Sequence, residues 1–277
     1  MISILIFTKN EQQDLPACLA AVAWSDDVHV LDSFSTDATV QIAREAGARV
    51  TQRVFDNWAA QQNFAARQLR FKHPWVLHLD ADERVPAALA EELRRFDVND
   101  RHAAFRIRRR DFFFDGSWLK YVQVTPWYVR LFRPEKIRYE RLVHQVAVVD
   151  GEIGELTQPF DHYPFSKGIG FWLERHVRYA ATEAKMLVEA NREPGSWRTA
   201  LFGADFHQRR VHQKRLFYGL PFRPLVKFLY LLVWRRGFLD GRAGISYAFL
   251  LAIYEYFIVL HTRELQLAKA RVPAGSA

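Results

Sequence analysis

Two carboxylates spaced i, i+2, Asp80 and Asp82, close an apolar run in Leu77-His78-Leu79-Asp80-Ala81-Asp82-Glu83. At the end of a buried strand such a pair makes a hard-oxygen site, suited to Mg²⁺ or Mn²⁺ bridging a diphosphate. A plainer reading is that Asp82 caps the helix that follows. Asp32 ends a second apolar run in Val30-Leu31-Asp32-Ser33-Phe34-Ser35-Thr36-Asp37. Its carboxylate can accept from a nucleobase imide N–H or from ribose hydroxyls, or it can belong to a turn. Thr8-Lys9-Asn10-Glu11 ends a third run, and Gln61-Gln62-Asn63 places amides on a helix whose other face is apolar.

Positioning these groups requires strands and crossover helices. Ile2–Phe7, Val28–Leu31, Arg49–Gln52 and Trp75–Leu79 read as strands, the first buried on both faces. Leu15–Ala23, Ala38–Ala46, Trp58–Leu69 and Pro86–Phe96 read as helices. Thr36 or Asp37 can cap the second helix, Gly47 stops it, and Pro86 opens the fourth. Alternation of this kind predicts a doubly wound parallel sheet, with ligands bound at the carboxyl ends of its strands. From about residue 103, strands at Ala103–Arg109, Val129–Phe132 and Val143–Val149 make the sheet mixed. After Pro164 the chain reads as helical. Two domains are expected: a catalytic α/β domain over 1–165 and a helical region over 166–277.

The 277 residues are 49% hydrophobic and 25% charged, which fits a globular protein rather than a disordered one. Cys18 is the only cysteine, so an internal disulfide and a cysteine-built zinc site are both excluded. The formal charge of +8 is unevenly placed. Residues 1–163 hold 21 basic and 23 acidic side chains, whereas 164–277 hold 18 and 8. Within 198–236, nine basic residues face only Asp205. Arg209, Arg210, Lys214 and Arg215 precede the apolar segment Leu225–Trp234, and Arg235 and Arg236 follow it. Cations flanking short apolar helices suit an interfacial membrane anchor; the alternative is a helical cap with a solvated basic face. An anionic membrane surface is therefore the expected partner, and no nucleic acid, because the carboxylate-bearing part is net acidic. The N-terminal run has no basic stretch before it and reads as a strand rather than a signal peptide. No run reaches the roughly 20 apolar residues of a membrane-spanning helix. Ile245–Leu260 comes closest and is interrupted by Ser246 and Glu255.

Taken together and in order, these residues resemble inverting family 2 glycosyltransferases of GT-A fold, and within them the lipopolysaccharide-core group, whose members often add glucose to an inner-core heptose. The resemblance rests on Lys9-Asn10-Glu11, on Leu31-Asp32-Ser33-Phe34-Ser35-Thr36-Asp37-Ala38-Thr39, on Gln61-Gln62-Asn63 and on Leu79-Asp80-Ala81-Asp82-Glu83. Further on, it includes Arg130-Leu131-Phe132-Arg133, His162-Tyr163 and Gly237-Phe238-Leu239-Asp240-Gly241. It covers about residues 1–265. It implies that Thr8, Lys9, Asn10, Glu11 and Asp32 form the nucleoside end of a nucleotide-sugar site, with Gln62 and Asn63 lining its nucleotide side. Asp80 would face ribose or a metal-bound water. Asp82 would bind the divalent ion, with His162 a candidate further ligand; the alternative for His162 is a loop histidine packed on Tyr163.

Two positions depart from the group's pattern. Gln62 replaces a lysine, removing a possible phosphate contact, and Gln145 replaces the glutamate of a V-H-E motif. Inversion needs a general base, and glutamine cannot serve at neutral pH. His144 has a suitable pKa, with Glu140 and Asp150 as alternatives; His144 can equally be a hydrogen-bonded histidine of a half-buried strand. The aromatic stretch Asp111–Tyr128 contains Trp118 and Trp127, candidate stacking partners for an acceptor sugar, although core packing explains most of its rings. The expectation is an enzyme moving a hexose from a nucleoside diphosphate sugar, most simply a UDP-sugar, to a lipopolysaccharide core or similar glycolipid. It would work at the cytoplasmic face of a bacterial inner membrane. Transfer to a polyprenyl phosphate and a non-catalytic membrane- or nucleic-acid-binding role are the alternatives.

Overall fold

The computed structural model describes residues 1–123, 127–140, 146–189, 195–203 and 206–271. The chain divides into two compact units. One comprises Met1–Trp118 and Gln123–Lys167, the other Leu119–Val122 and Gly168–Ala277.

The first unit opens with β1 (Ser3–Thr8), α1 (Leu15–Ala21), β2 (Val28–Asp32), α2 (Thr39–Glu45), β3 (Arg49–Gln52), α3 (Trp58–Gln68) and β4 (Val76–Asp80). A two-residue β5 (Glu83–Arg84), α4 (Ala87–Arg94), β6 (Ala104–Asp111) and β7 (Trp127–Phe132) follow. The unit closes with β8 (Ile137–Glu140), β9 (Val146–Val149), β10 (Ile153–Glu155) and β11 (Phe160–His162). The sheet runs β3-β2-β1-β4-β7-β6-β11-β5, with β10 also on β6, while β8 and β9 form a separate hairpin. Strands β3, β2, β1 and β4 are parallel, whereas β7 is antiparallel to both β4 and β6. The mixed sheet expected from the sequence is therefore present.

The order reverses between β1 and β4, and such a switch point opens a crevice at the strand ends. Alternation along β1 fills a core on each side of the sheet. Ile4 and Ile6 pack with Leu15, Leu19 and Leu89; Leu5 and Phe7 pack with Ala59, Phe132 and Tyr139. Helix boundaries follow local chemistry. Asn57 caps α3 by accepting from Ala60 N (2.9 Å), and Gly47 ends α2 at φ +77°, where a Cβ would be strained.

The second unit is helical: α5 (Gly168–Glu189), α6 (Trp197–Phe202), α7 (Phe206–Gly219), α8 (Arg223–Leu229) and α9 (Gly241–Arg271). Helices α5 and α8 pack on α9, and α6 on α7. The sequence led us to expect an interrupted apolar segment at Ile245–Leu260. That segment lies inside an unbroken helical run, Gly237–Ala270, which is long and apolar enough, by length and composition, to cross a membrane; the mean hydropathy of its apolar 18-residue stretch is 1.8. The interrupting charge has a partner inside the fold: Glu255 is buried and ion-paired with buried Arg223 (Nε to Oε1, 3.0 Å). The Gly237–Gly241 motif is architectural. Its Asp240 carboxylate accepts from the backbone N–H groups of Lys120, Tyr121 and Val122. A Cβ at Gly237 would lie 2.7 Å from the Leu231 carbonyl oxygen.

Candidate active site

The parallel register brings the expected residues into one row, with Thr8 beside Asp32 and Phe7 beside Asp80. Asp32 is fully buried and accepts four hydrogen bonds: from Thr8 Oγ1 (2.9 Å), Ser35 N (2.8 Å), Gln52 Nε2 (3.1 Å) and the Ser35 hydroxyl. A carboxylate has about four acceptor positions, so Asp32 is occupied in shaping the 33–35 turn. Lys9 Nζ donates to Ser33 O (2.8 Å) and Phe34 O (2.5 Å), closing the same turn. Asn10 sits at φ +56° and its Oδ1 accepts from Thr36 N (2.8 Å). Asp37, read as a possible helix cap, accepts from Thr39 N (3.0 Å) at the entry to α2. Glu11 pairs with Lys167 (2.8 Å); burial, against that lysine, pushes its carboxyl up to about 7.

At the end of β4 the organiser is Arg130 of β7. Its guanidinium donates to Asp80 Oδ2 (2.9 Å), to Glu83 Oε1 and to His78 Nδ1 (3.0 Å). Burial opposes charge on Asp80, but Arg130 and then His78 outweigh it and hold the carboxyl well below the usual range. Glu83 has no exposed side chain, and burial raises its carboxyl to about 7 despite Arg130. The two carboxylates share one cation, so the charge settles on Asp80, which is 37% exposed. Arg130 was quoted from the sequence only as part of a motif. The signal for its role is its place on the strand beside β4.

Asp82 does not cap a helix. Glu83 and Arg84 form a strand, and α4 starts at Ala87, after Pro86 at its N-cap, with no side-chain cap bond. Instead Asp82 Oδ2 lies 3.4 Å from His162 Nε2, and His162 Nδ1 meets Asp111 Oδ1 at 2.7 Å. Asp111 is in turn ion-paired with Arg109 (2.8 Å). This relay follows from the register: His162 is paired with Glu83 on one side and with Asp111 on the other. Burial favours the neutral imidazole, but Asp82 and Asp111 prevail and raise His162 to about 9. A loop histidine merely packed on Tyr163 is thereby replaced by a strand residue held between two carboxylates. The sequence did not single out Asp111 as its partner.

Other expected residues are placed elsewhere. The Asn63 amide is committed to the β8 backbone, donating to Tyr139 O (2.8 Å) and accepting from Tyr139 N (2.9 Å). These two bonds clamp β8 to α3. Gln62 is buried, and its Oε1 has no hydrogen-bond partner among the described residues. Glu140 is exposed and paired with Arg138 (3.1 Å) on the β8 face opposite buried Tyr139, whose phenol is the residue near Arg130 and Asp80. Strand alternation thus turns Glu140 away from the cluster. Asp150, the other alternative, is exposed and 3.7 Å from Lys136. Trp118 lies under the guanidiniums of Arg108 and Arg110 (6.0 and 5.7 Å), and Trp127 pairs with Arg108 across β6–β7. His144 and Gln145 lie outside the described residues.

Residues 3–151, which contain Asp32, Asp80, Asp82 and Arg130, match the model of glycosyl transferase family 2. The chain belongs to glycosyl transferase family 2. Among its relatives is the lipopolysaccharide core biosynthesis glycosyltransferase LpsC of Rhizobium meliloti, 27% identical over 272 residues and 92% of each chain. An uncharacterized glycosyltransferase of Rickettsia conorii is 35% identical over 111 residues, 39% of each chain. In fold, the chain is similar to the mannosyltransferase PcManGT of Pyrobaculum calidifontis, solved with GDP-Man and Mn²⁺. The TM-score is 0.55 at 14% identity, over 94% of this chain and 86% of that one.

For a family 2 enzyme the donor set at the end of β4 can be tested against a divalent ion. Among the described residues no group of three or more His, Cys, Asp or Glu side chains is arranged as a metal site. Two donors, Asp82 Oδ2 and His162 Nε2, do converge. Mg²⁺ is commonly bound through one or two protein ligands, with substrate phosphates and water completing the shell. The His162–Asp111 bond is the outer-shell contact that orients a ligating imidazole. Asp82 and His162 would fit a divalent ion as two of its ligands, with the rest of its shell supplied from outside the chain.

Proposed function

We propose that this family 2 glycosyltransferase moves a hexose from a nucleoside diphosphate sugar to a lipopolysaccharide core or similar glycolipid, with inversion and with a divalent ion. The Asp82–His162–Asp111 relay, beside the charged Asp80 at the switch point of the sheet, carries this reading. The turn fixed by Asp32, Lys9 and Asn10, together with Glu11, forms the nucleoside end. Asp82 and His162 would hold Mg²⁺ or Mn²⁺, which as a Lewis acid offsets charge on the departing nucleoside diphosphate. Arg130 fixes Asp80 and Glu83 so that the strand end keeps its shape when the donor binds. We assign the proton of the acceptor hydroxyl to His144.

The helical unit supports work at an anionic membrane surface, as on the cytoplasmic face of a bacterial inner membrane. Phe202, Phe222 and Trp234 are 82%, 80% and 80% exposed, an unusual display for large apolar side chains. Lys214 and Arg236 are exposed near them in sequence, with Arg209, Arg215 and Arg235 half-buried. The Arg210 side chain lies outside the described residues. A peripheral, membrane-bound helical region over 166–277 and a catalytic 1–165 remain our division of labour.

The test is calorimetric titration of UDP, GDP, ADP and UDP-glucose with and without Mn²⁺. Metal-dependent binding of one nucleotide is expected; binding of none would end the transferase reading. For the base, His144→Ala is expected to lower kcat by roughly 10²–10⁴-fold, and an unchanged kcat would remove His144 from the role.

A further inference from the structure

Beside the Asp82 loop lies a cavity of about 480 Å³, formed wholly within the first unit. Its size falls in the range of small-molecule sites. One wall is the tight turn after β6, which is closed on itself. Phe113 N donates to Ser117 O (2.8 Å), Gly116 N to Phe113 O (2.9 Å), and Gly116 holds φ +82°. This turn presents Phe114, 63% exposed, to the cavity while Phe113 stays buried beneath it. The facing wall is Phe165 and Tyr163, and Tyr163 stacks on Phe112 (centroids 5.2 Å, planes 14° apart).

The polar end of the cavity has a specific chemistry. Asp14 stands at the N-cap of α1, where an aspartate ordinarily accepts from the helix backbone, yet its side chain makes no such bond. Its buried carboxylate turns instead to Ser166 Oγ (2.8 Å) and Arg84 Nη2 (3.4 Å). That leaves acceptor positions for further donors. Arg84, the one cation in the lining, also donates from Nη1 to Ala81 O (2.6 Å) and Glu83 O (2.8 Å). A cavity with spare carboxylate acceptors, whose one lining cation is already paired with that carboxylate, suits hydroxyls better than phosphate.

Its position ties it to the reaction. Tyr163 N donates to Asp82 O (2.9 Å), and Asp14 N to Glu11 O (3.0 Å). The cavity thus shares backbone with the candidate metal residue and with the nucleoside end.

We propose that this cavity binds a neutral pyranose ring of the acceptor, its apolar face on Phe114 and its hydroxyls on Asp14. The proposal rests on the transferase reading above, and it moves the acceptor contact from Trp118 and Trp127, which do not line the cavity, to the Phe112–Gly116 turn and Tyr163–Ser166. It also separates the two acceptor chemistries left open by the sequence. A sugar hydroxyl on a neutral ring fits; a polyprenyl phosphate does not.

The experiment is saturation-transfer NMR with calorimetry on the full chain in the presence of Mn²⁺ and the nucleotide it binds. The probes are the methyl glycosides of glucose, mannose and a heptose, set against glucose 6-phosphate and glycerol phosphate. At least one methyl glycoside is expected to bind, in the millimolar range, with saturation reaching the ring face. Phe114→Ala should weaken it roughly tenfold, Phe114→Trp should retain it, and Asp14→Asn should weaken it while the nucleotide affinity of Phe114→Ala stays as in wild type. Absence of glycoside binding, indifference to Phe114→Ala, or tighter binding of the phosphates would overturn the proposal. Failure of every nucleotide to bind would instead overturn the transferase reading, and the glycoside titrations would still report on the cavity.

Discussion

At the strand ends of the first unit, buried polar groups are bonded to one another: Asp32 accepts four hydrogen bonds, and Arg130 serves Asp80, Glu83 and His78 at once. The helices of the second unit do the reverse. Their single buried ion pair among the described residues, Arg223–Glu255, partners a charge inside an apolar helix, while Phe202, Phe222 and Trp234 face solvent. One region is a preorganised polar scaffold in which Asp82 is held against His162 and Asp80 is partly exposed. The other withholds apolar area from its own core. Preorganisation serves chemistry, because oriented groups need not rearrange as charge develops. Uncovered apolar area serves association. Substitutions in the two regions should therefore fail in different assays.

The largest effect belongs to Asp82. Asp82→Asn keeps the shape and one acceptor but removes the charge, so metal-dependent turnover should fall by about 10³-fold in a protein that still folds. Activity near wild type would sever Asp82 from the reaction. Arg130→Met should act on stability instead. It strands Asp80 and Glu83, and removal of one partner from a buried ion pair costs about 3–5 kcal/mol, or roughly 10 °C in Tm for a unit of this size. A Tm within a degree or two of wild type would mean that the strand end does not depend on its cation.

The same comparison explains what was legible in the sequence. Strand ends at Thr8, Asp32 and Asp80 could be read because apolar β-branched runs stop at them, and a parallel sheet aligns such ends. Asp82 was legible as a carboxylate but not as a relay. Its partners His162 and Asp111 lie 80 and 29 residues away in sequence, and only the pairing of β11 with β5 and β6 joins them. Asn63 looked like a ligand contact because an amide on a helix has no visible partner in sequence, and the β8 backbone that occupies it is nonlocal. Glu140 was misplaced by one step of strand alternation. The unbroken α9 was hidden because Glu255 reads as an interruption until Arg223 is set against it.

In the second unit the surface is the expected point of failure. The double variant Lys214→Glu, Arg236→Glu should lower binding to vesicles containing anionic lipid by tenfold or more at low salt, since each cation near such a surface contributes about 1 kcal/mol. Its Tm and its nucleotide affinity should match wild type, the converse of Arg130→Met. Equal binding of wild type and variant to anionic vesicles would leave the basic residues as ordinary solvated charges.

The smallest effect sharpens the contrast through two histidines. His162 lies between carboxylates and is raised to about 9, whereas His176 in α5 is lowered to about 4. Burial is the main cause at His176, helped by Arg175 and opposed by the Trp172 carbonyl, which meets Nδ1 at 2.8 Å; the ring stacks on Trp172 and meets Tyr179 and Tyr254 at its edges. A histidine whose folded pKa is lowered binds its proton first in the unfolded chain. Its contribution to stability is therefore present above about pH 6.5 and is lost as pH falls toward 4. His162 has the opposite sign in the metal-free protein: its contribution is present below 6.5 and is lost as pH rises through about 9. His176→Gln can keep the bond to the Trp172 carbonyl without titrating. It should flatten the acid-side decline in stability between pH 6.5 and 4, by on the order of 1–2 kcal/mol at the low end, and leave the alkaline side unchanged. Parallel declines in variant and wild type would show that the second unit answers to acid through its carboxylates, as the first does, and would remove this point of contrast.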